Sequence, residues 1–255
     1  MAALGDGGDP DAFARSRARV YGLFAAVFDG DVETLRDALD DDVFARLAET
    51  LPGTVDLDPL DGTFDHEALT FAYDNLFVVP GEHYVPLFAS AHATTPSKSF
   101  ESPSAYHDAG SAGELLGDPA STLSQLYARV GFEPTRGDKV PDHLAAIFEF
   151  QQALCTREAT LDADTEAFDR LLSLQRSVFG ALAWLDAFDT AVQKQDAAVG
   201  VFATLSRLAR IFVAWDARES PAAVTDSEST ALPDDTAESL DDHDDNHSTQ
   251  TTNDD

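Results

Sequence analysis

The chain has one cysteine, Cys155, which excludes an internal disulfide and any metal site built from thiolates. Lysine is nearly absent: Lys98, Lys139 and Lys194 stand beside 13 arginines, against 47 acids, for a formal charge of −31 over 255 residues. So few cations cannot neutralise a run of phosphates or hold the chain on anionic lipid, so neither nucleic-acid binding nor stable membrane attachment is expected. Arg19–Phe28 is apolar but far too short to cross a bilayer. The N-terminal stretch MAALGDGGDPDAFARSRARV lacks the apolar core of a secretory signal, and no Arg-Arg pair occurs anywhere, so the chain is expected to stay in the cytoplasm. A phosphate loop of the GxxxxGK(S/T) kind, HExxH, GxSxG and CxxC are all missing. His66, His83, His92 and His107 are not spaced for one metal, and no metal site is expected.

Alternating apolar and polar residues are lacking as well, and no sheet is expected. Apolar residues instead recur at helical spacing. Asp9-Pro10 reads as a helix start and Asp29-Gly30 as its stop, with Phe13, Val20, Leu23, Phe24, Val27 and Phe28 between. Val32, Leu35, Leu39, Val43 and Leu47 write a second helix, ended before Pro52-Gly53. Asp65 caps a third, which Pro80-Gly81 ends, and an irregular stretch containing Pro86, Pro96 and Pro103 runs to about residue 111. Asp118-Pro119 opens a helix closed at Gly131, and Pro141 opens another. Leu144–Cys155 is apolar nearly all round, which belongs at the centre of a bundle. Asp164–Phe188 and Asp196–Trp215 supply two more long helices.

Residues 221–255 hold 11 acids and no Lys or Arg, too few apolar groups to offset ordering entropy. The expected organisation is therefore all-α: a flexible N-terminus over 1–9, a single helical bundle domain over 10–217, and a disordered acidic C-terminal tail over 218–255. Setting the tail's 11 acids aside leaves 36 against 16 bases, so the body is acidic in its own right. Excess carboxylate with little lysine suits a surface kept soluble in concentrated salt, where like charges are screened within ~3 Å.

Two clusters carry candidate chemistry. In the first, Tyr73, Leu76 and Phe77 share one helix face. Pro80-Gly81 then breaks the chain and returns a second aromatic run, Tyr84 to Phe88, with Pro86 inside it. This reads either as a core helix end under a Pro-stiffened loop or as an apolar groove for a peptide. In the second, Gly131-Phe132-Glu133-Pro134 leads to Pro141-Asp142-His143-Leu144, with Glu149 further along the helix. Asp142 and His143 are placed in the first helical turn, where the dipole favours a carboxylate. They read as helix-start devices, or as polar anchors, Asp142 for a cation and His143 as a neutral donor and acceptor. A small acid–base or nucleotide-hydrolysing enzyme using the same pair is the alternative, although no third group completes a triad.

Taken together, Tyr-x-x-Leu-Phe-x-x-Pro-Gly followed by Pro and aromatics, a Gly-Phe segment, and Pro-Asp-His leading into a Glu-Phe helix resemble the TorD/DmsD/NarJ family. These are dedicated assembly chaperones of molybdenum-containing respiratory reductases, and the resemblance runs from about residue 13 to 215. It departs at Lys139 and Val140, where the family often has an acid and a second proline, and after Pro86, where Leu87-Phe88-Ala89-Ser90 lacks the usual small-residue hydroxyl pattern. The resemblance implies no catalysis and no cofactor of the chain's own, since molybdopterin belongs to the client. It implies as partner the apo catalytic subunit of a dimethyl sulfoxide, trimethylamine oxide or nitrate reductase, with its twin-arginine signal peptide. It also implies a monomer or a dimer that exchanges helices. By motif position, Tyr73, Leu76, Phe77 and Pro86 would be the apolar wall, Asp142 and His143 the anchors, with Pro141 shaping them. Tyr21 would match a family aromatic position.

Overall fold

In a computed structural model, the described residues are 9–92, 117–196 and 200–223. Residues 1–8 of the loose N-terminus, the stretch holding Pro96 and Pro103, and the acidic tail from 224 onward lie outside them. Among these residues ten α-helices follow in chain order: α1 (Pro10–Val27), α2 (Val32–Asp40), α3 (Val43–Ala48), α4 (His66–Tyr73), α5 (Ala89–His92), α6 (Asp118–Val130), α7 (Leu144–Glu158), α8 (Glu166–Ala181), α9 (Leu185–Gln195) and α10 (Val201–Glu219). Among the described residues there is no strand, only one isolated antiparallel bridge between Phe88 and His143. The fold is the expected all-α bundle.

Helix starts follow the local chemistry. Asp9 accepts from Asp11 N ahead of Pro10, and Asp65 accepts from Ala68 N at 2.6 Å. Gly131 closes α6 with φ at 66°, a left-handed turn costly for most residues. Where boundaries differ from the sequence reading, packing decides. The stretch from Val32 to Leu47 is two helices, broken at Asp42, whose φ is 53°. Three consecutive aspartates are poor helix formers, and aspartate tolerates a left-handed turn. The single helix expected over Asp164–Phe188 breaks after Ala181. Leu182, Trp184 and Leu185 are all buried, an arc too wide for one helix face. The last helix begins at Val201 rather than Asp196, and Asp196 instead accepts from Ala203 N.

α1 and α7 form the most extensive helix pair. Ten of the fifteen residues of α7 are buried, as befits the central helix. Phe28 at the end of α1 touches Phe77, Phe148 and Phe188, with ring centroids 5.8–6.3 Å apart. Packing continues to Ala223, a few residues past the expected boundary: Ala222 is buried and its carbonyl accepts from Arg176.

One polar cluster crosses this core. Arg17 of α1 is 1% exposed and donates to Glu158 of α7, Gln175 of α8 and Asp216 of α10. Tyr21 donates to Asp216 at 2.7 Å, and Gln175 donates to Glu158. Four helices are thereby tied at one point, with every carboxylate oxygen partnered.

Candidate functional site

The two sequence clusters meet. Leu144 N donates to Leu87 O at 2.8 Å and Ala89 N to Asp142 O at 2.9 Å, so residues 87–89 lie antiparallel to 142–144. This pairing holds His143 extended, with φ −69° and ψ 136°, and α7 begins only at Leu144. Pro141, Asp142 and His143 are thus a linker outside the helix, correcting their placement in its first turn. His143 caps the helix with its ring, because Ala145 N donates to Nδ1 at 3.1 Å. Asp142 turns the other way: Ser90 donates to Oδ2 from both its backbone N and its hydroxyl. Oδ1 of this fully buried side chain meets no donor among the described residues. An unpaired buried acceptor costs about 1–3 kcal/mol, a cost that an ordered water or a ligand donor relieves.

Electrostatics fix the state of the histidine. Burial lowers the His143 pKa to about 4, against the pull of Asp29, Asp138 and Asp142. The ring is therefore neutral at neutral pH, with the proton on Nε2 and Nδ1 free to accept. Asp142 and His143 share no hydrogen bond: the first is held by Ser90 and the second accepts from Ala145 N. His92 is likewise held neutral by burial while its Nε2 donates to Pro86 O at 2.7 Å.

The loop before Pro141 is fastened on two sides. Glu149 accepts from Thr135 N and Arg136 N, and Asp29 accepts from Gly137 N at 2.7 Å and from Arg136. Gly137 has φ 64°, and a Cβ there would sit 2.6 Å from the His143 ring. Tyr127 of α6 donates to Pro141 O at 2.7 Å.

Two depressions flank this frame. One, of about 420 Å³, is lined by the carboxylates of Asp29, Asp31, Glu33 and Asp74 with His66 and Tyr73. The other, about 500 Å³ and mostly apolar, is bounded by Ala89, Pro119, Gly180, Ala181 and Trp184. The indole N–H of Trp184 is buried without an acceptor among the described residues. A chain of contacts links the two: Asp29 lines the acidic hollow and holds Gly137, Gly137 backs His143, His143 pairs with Phe88, and Ala89 lines the apolar cleft.

The structure brings Pro86, Pro141, Asp142 and His143 together at this frame. Leu76 and Phe77 are 2% and 6% exposed and belong to the core, so they line neither depression, whereas Tyr73, 9% exposed, reaches one of them. The wide π-helical turn over Asp74–Val78 puts Leu76 and Phe77 inside together. Tyr73 packs against Gly30, donates to Phe28 O at 3.1 Å, and still lines the acidic hollow. Tyr21 lies apart, in the Arg17 cluster. Asp29, Ser90, Gly137 and Trp184 escaped the sequence reading. Asp29-Gly30 looked only like a helix stop, and nothing in the sequence ties it to Gly137.

Among the described residues no group of His, Cys, Asp and Glu is arranged to hold a metal ion, and no helix is long and apolar enough to cross a membrane. No curated protein and no solved structure matches the chain significantly. Over residues 32–189 it matches the family described as "Nitrate reductase delta subunit". That span takes in both motif clusters and the frame where they meet, and the chain belongs to the nitrate reductase delta subunit family, the NarJ/TorD-type chaperones of molybdoenzyme assembly.

Proposed function

We propose that the chain binds the apo catalytic subunit of a molybdenum reductase in the cytoplasm through its twin-arginine leader, delaying export until molybdopterin is inserted. The molybdopterin is the client's, and the chain carries no cofactor of its own. The name of the matched family favours a nitrate-type client over the dimethyl sulfoxide and trimethylamine oxide types. The observation that carries this reading is the linked pair of depressions. A twin-arginine leader offers two guanidinium groups followed by an apolar stretch, which is the order of acidic hollow and apolar cleft along the frame. Carboxylates favour guanidinium forks by charge-assisted, paired hydrogen bonds. In the cleft, small residues let a peptide backbone approach, and the Trp184 side chain forms one wall.

In this arrangement Pro86, Pro141 and His143 hold the frame, and Asp142 is the polar anchor, tied to Ser90 through one oxygen. Tyr73 walls the hollow, Leu76 and Phe77 support it from below, and Tyr21 braces α1. The acidic, lysine-poor surface is suited to concentrated salt, and its folded signal is expected to fall on dilution into low salt.

The test is calorimetric titration of the full-length protein with a synthetic leader. Glu33→Gln with Asp74→Asn removes charge from the hollow; Gly180→Leu fills the cleft, where a Cβ meets nothing within 4 Å. Each is expected to weaken the leader by about tenfold or more, roughly 1.4 kcal/mol, without loss of helicity. A leader with both arginines replaced by glutamine should lose the response to the Glu33/Asp74 change. Unchanged affinity in both variants overturns the placement of the site.

A further inference from the structure

A second groove has the opposite electrostatic character. It runs between the C-terminal ends of α6 and α7 and one face of α8, with a volume of about 400 Å³. Its rim carries Arg129, Arg157 and Arg170, and among the described residues no carboxylate lines it. That is three of only 16 basic residues in a chain with 47 acids. Leu161, Leu171 and Leu174 form an apolar floor, and Val130 at the edge is 49% exposed.

Helix ends alone do not account for the arrangement. Arg129 and Arg157 stand in last turns, where a cation is favoured by the dipole. Arg170 stands near the start of α8, where the dipole opposes it, and is paired with Glu166 one turn back. Arg129 and Arg157 make no ion pair among the described residues; Arg157 donates only to Thr160 Oγ1, at 3.4 Å. On this acidic surface, two unpaired guanidinium groups beside an exposed valine and a leucine floor form a patch complementary in charge and polarity to one kind of surface.

We propose that this groove docks an acidic amphipathic helix of a partner protein, with leucine-like side chains on the floor and carboxylates along the rim. Helix-in-groove recognition reads anchors at i, i+3, i+4 and i+7, and arginine forks take carboxylates on either side. The acidic hollow and this groove would then hold segments of opposite charge, so one chaperone could grip a basic leader and an acidic segment at once. A small anion is a poorer match, because the arginines are exposed and no buried polar group enters the groove.

The experiment uses the full-length chain and a fluorescein-labelled helix of leucine and glutamate, read by anisotropy at two salt concentrations. Arg129→Gln with Arg157→Gln should weaken the probe about a hundredfold, two charge-assisted contacts at roughly tenfold each, and reduce its salt dependence. Val130→Glu, an exposed position, should weaken it by repulsion without touching the core. Affinity for the twin-arginine leader should stay unchanged in all three substitutions, so failure here is separable from failure of the leader site. The proposal is overturned if the arginine variant binds as well as the parent. Equal binding of a leucine–lysine helix, which would make the groove merely apolar, also overturns it. So does a change of mass in sedimentation without loss of the probe, which would make the groove a contact between copies of this chain.

Discussion

Asp216 and Asp142 are both fully buried, one on α10 and one just before α7, yet their surroundings differ in kind. Asp216 shares Arg17 with Glu158, receives Tyr21, and leaves no oxygen unpaired. Asp142 has one oxygen bound twice by Ser90 and the other bound by nothing among the described residues. A complete buried network fixes helices in one arrangement; an incomplete one costs stability that the fold does not recover. The proposed leader site therefore draws on Asp142 and not on the Arg17 cluster, although the latter holds more charge.

The comparison is broken most forcefully at Arg17. Arg17→Met strands Glu158 and Asp216 without a cation and should cost about 3–5 kcal/mol in denaturant unfolding. Replacing Glu158 and Asp216 by leucine as well should restore most of it, because apolar packing can stand in for a buried ionic group. Arg17→Met as stable as the parent would show that the cluster fixes nothing.

A smaller effect comes from pH. Native His143 is held to about 4 by burial, whereas its ordinary value is 6.5. Between those values the unfolded chain takes a proton that the native ring refuses, so stability falls as pH drops through that window, by up to about 3 kcal/mol. Asp216 has the opposite sign. Burial raises its carboxyl against the pull of Arg17 and Tyr21, so the native state takes a proton first and gains as pH falls. His143→Asn keeps a capping side chain and should remove the loss; an unaltered pH profile would place its origin elsewhere.

The smallest expected change in stability is at Asp142. Asp142→Asn keeps an acceptor for Ser90 and should alter unfolding by about 1 kcal/mol or less, while leader affinity falls. A loss matching that of Arg17→Met, with leader binding intact, would erase the difference between the two sites.

Much of this was legible in the sequence. Capping aspartates at 9 and 65, the glycine stop at 131 and the all-round apolar stretch from Leu144 are local or periodic signals, and each fell where expected. The Tyr73 and Pro141 clusters stand out in the sequence, each with a core reading beside a binding one, and spacing does not choose between them. Spacing tells which residues share a face; it does not tell whether that face meets solvent or Phe28, Phe188 and Phe202.

What the sequence determined by itself was the class: helices of a given amphipathic period, an acidic body, and motifs enough to identify the family. These depend on neighbours three and four residues apart and on composition. Only the tertiary structure decided that His143 caps a helix while paired with Phe88, that Asp29 holds Gly137 across 108 positions, and that three of the few arginines share one groove. Such contacts join residues far apart in the chain, and their geometry is set by how whole helices pack.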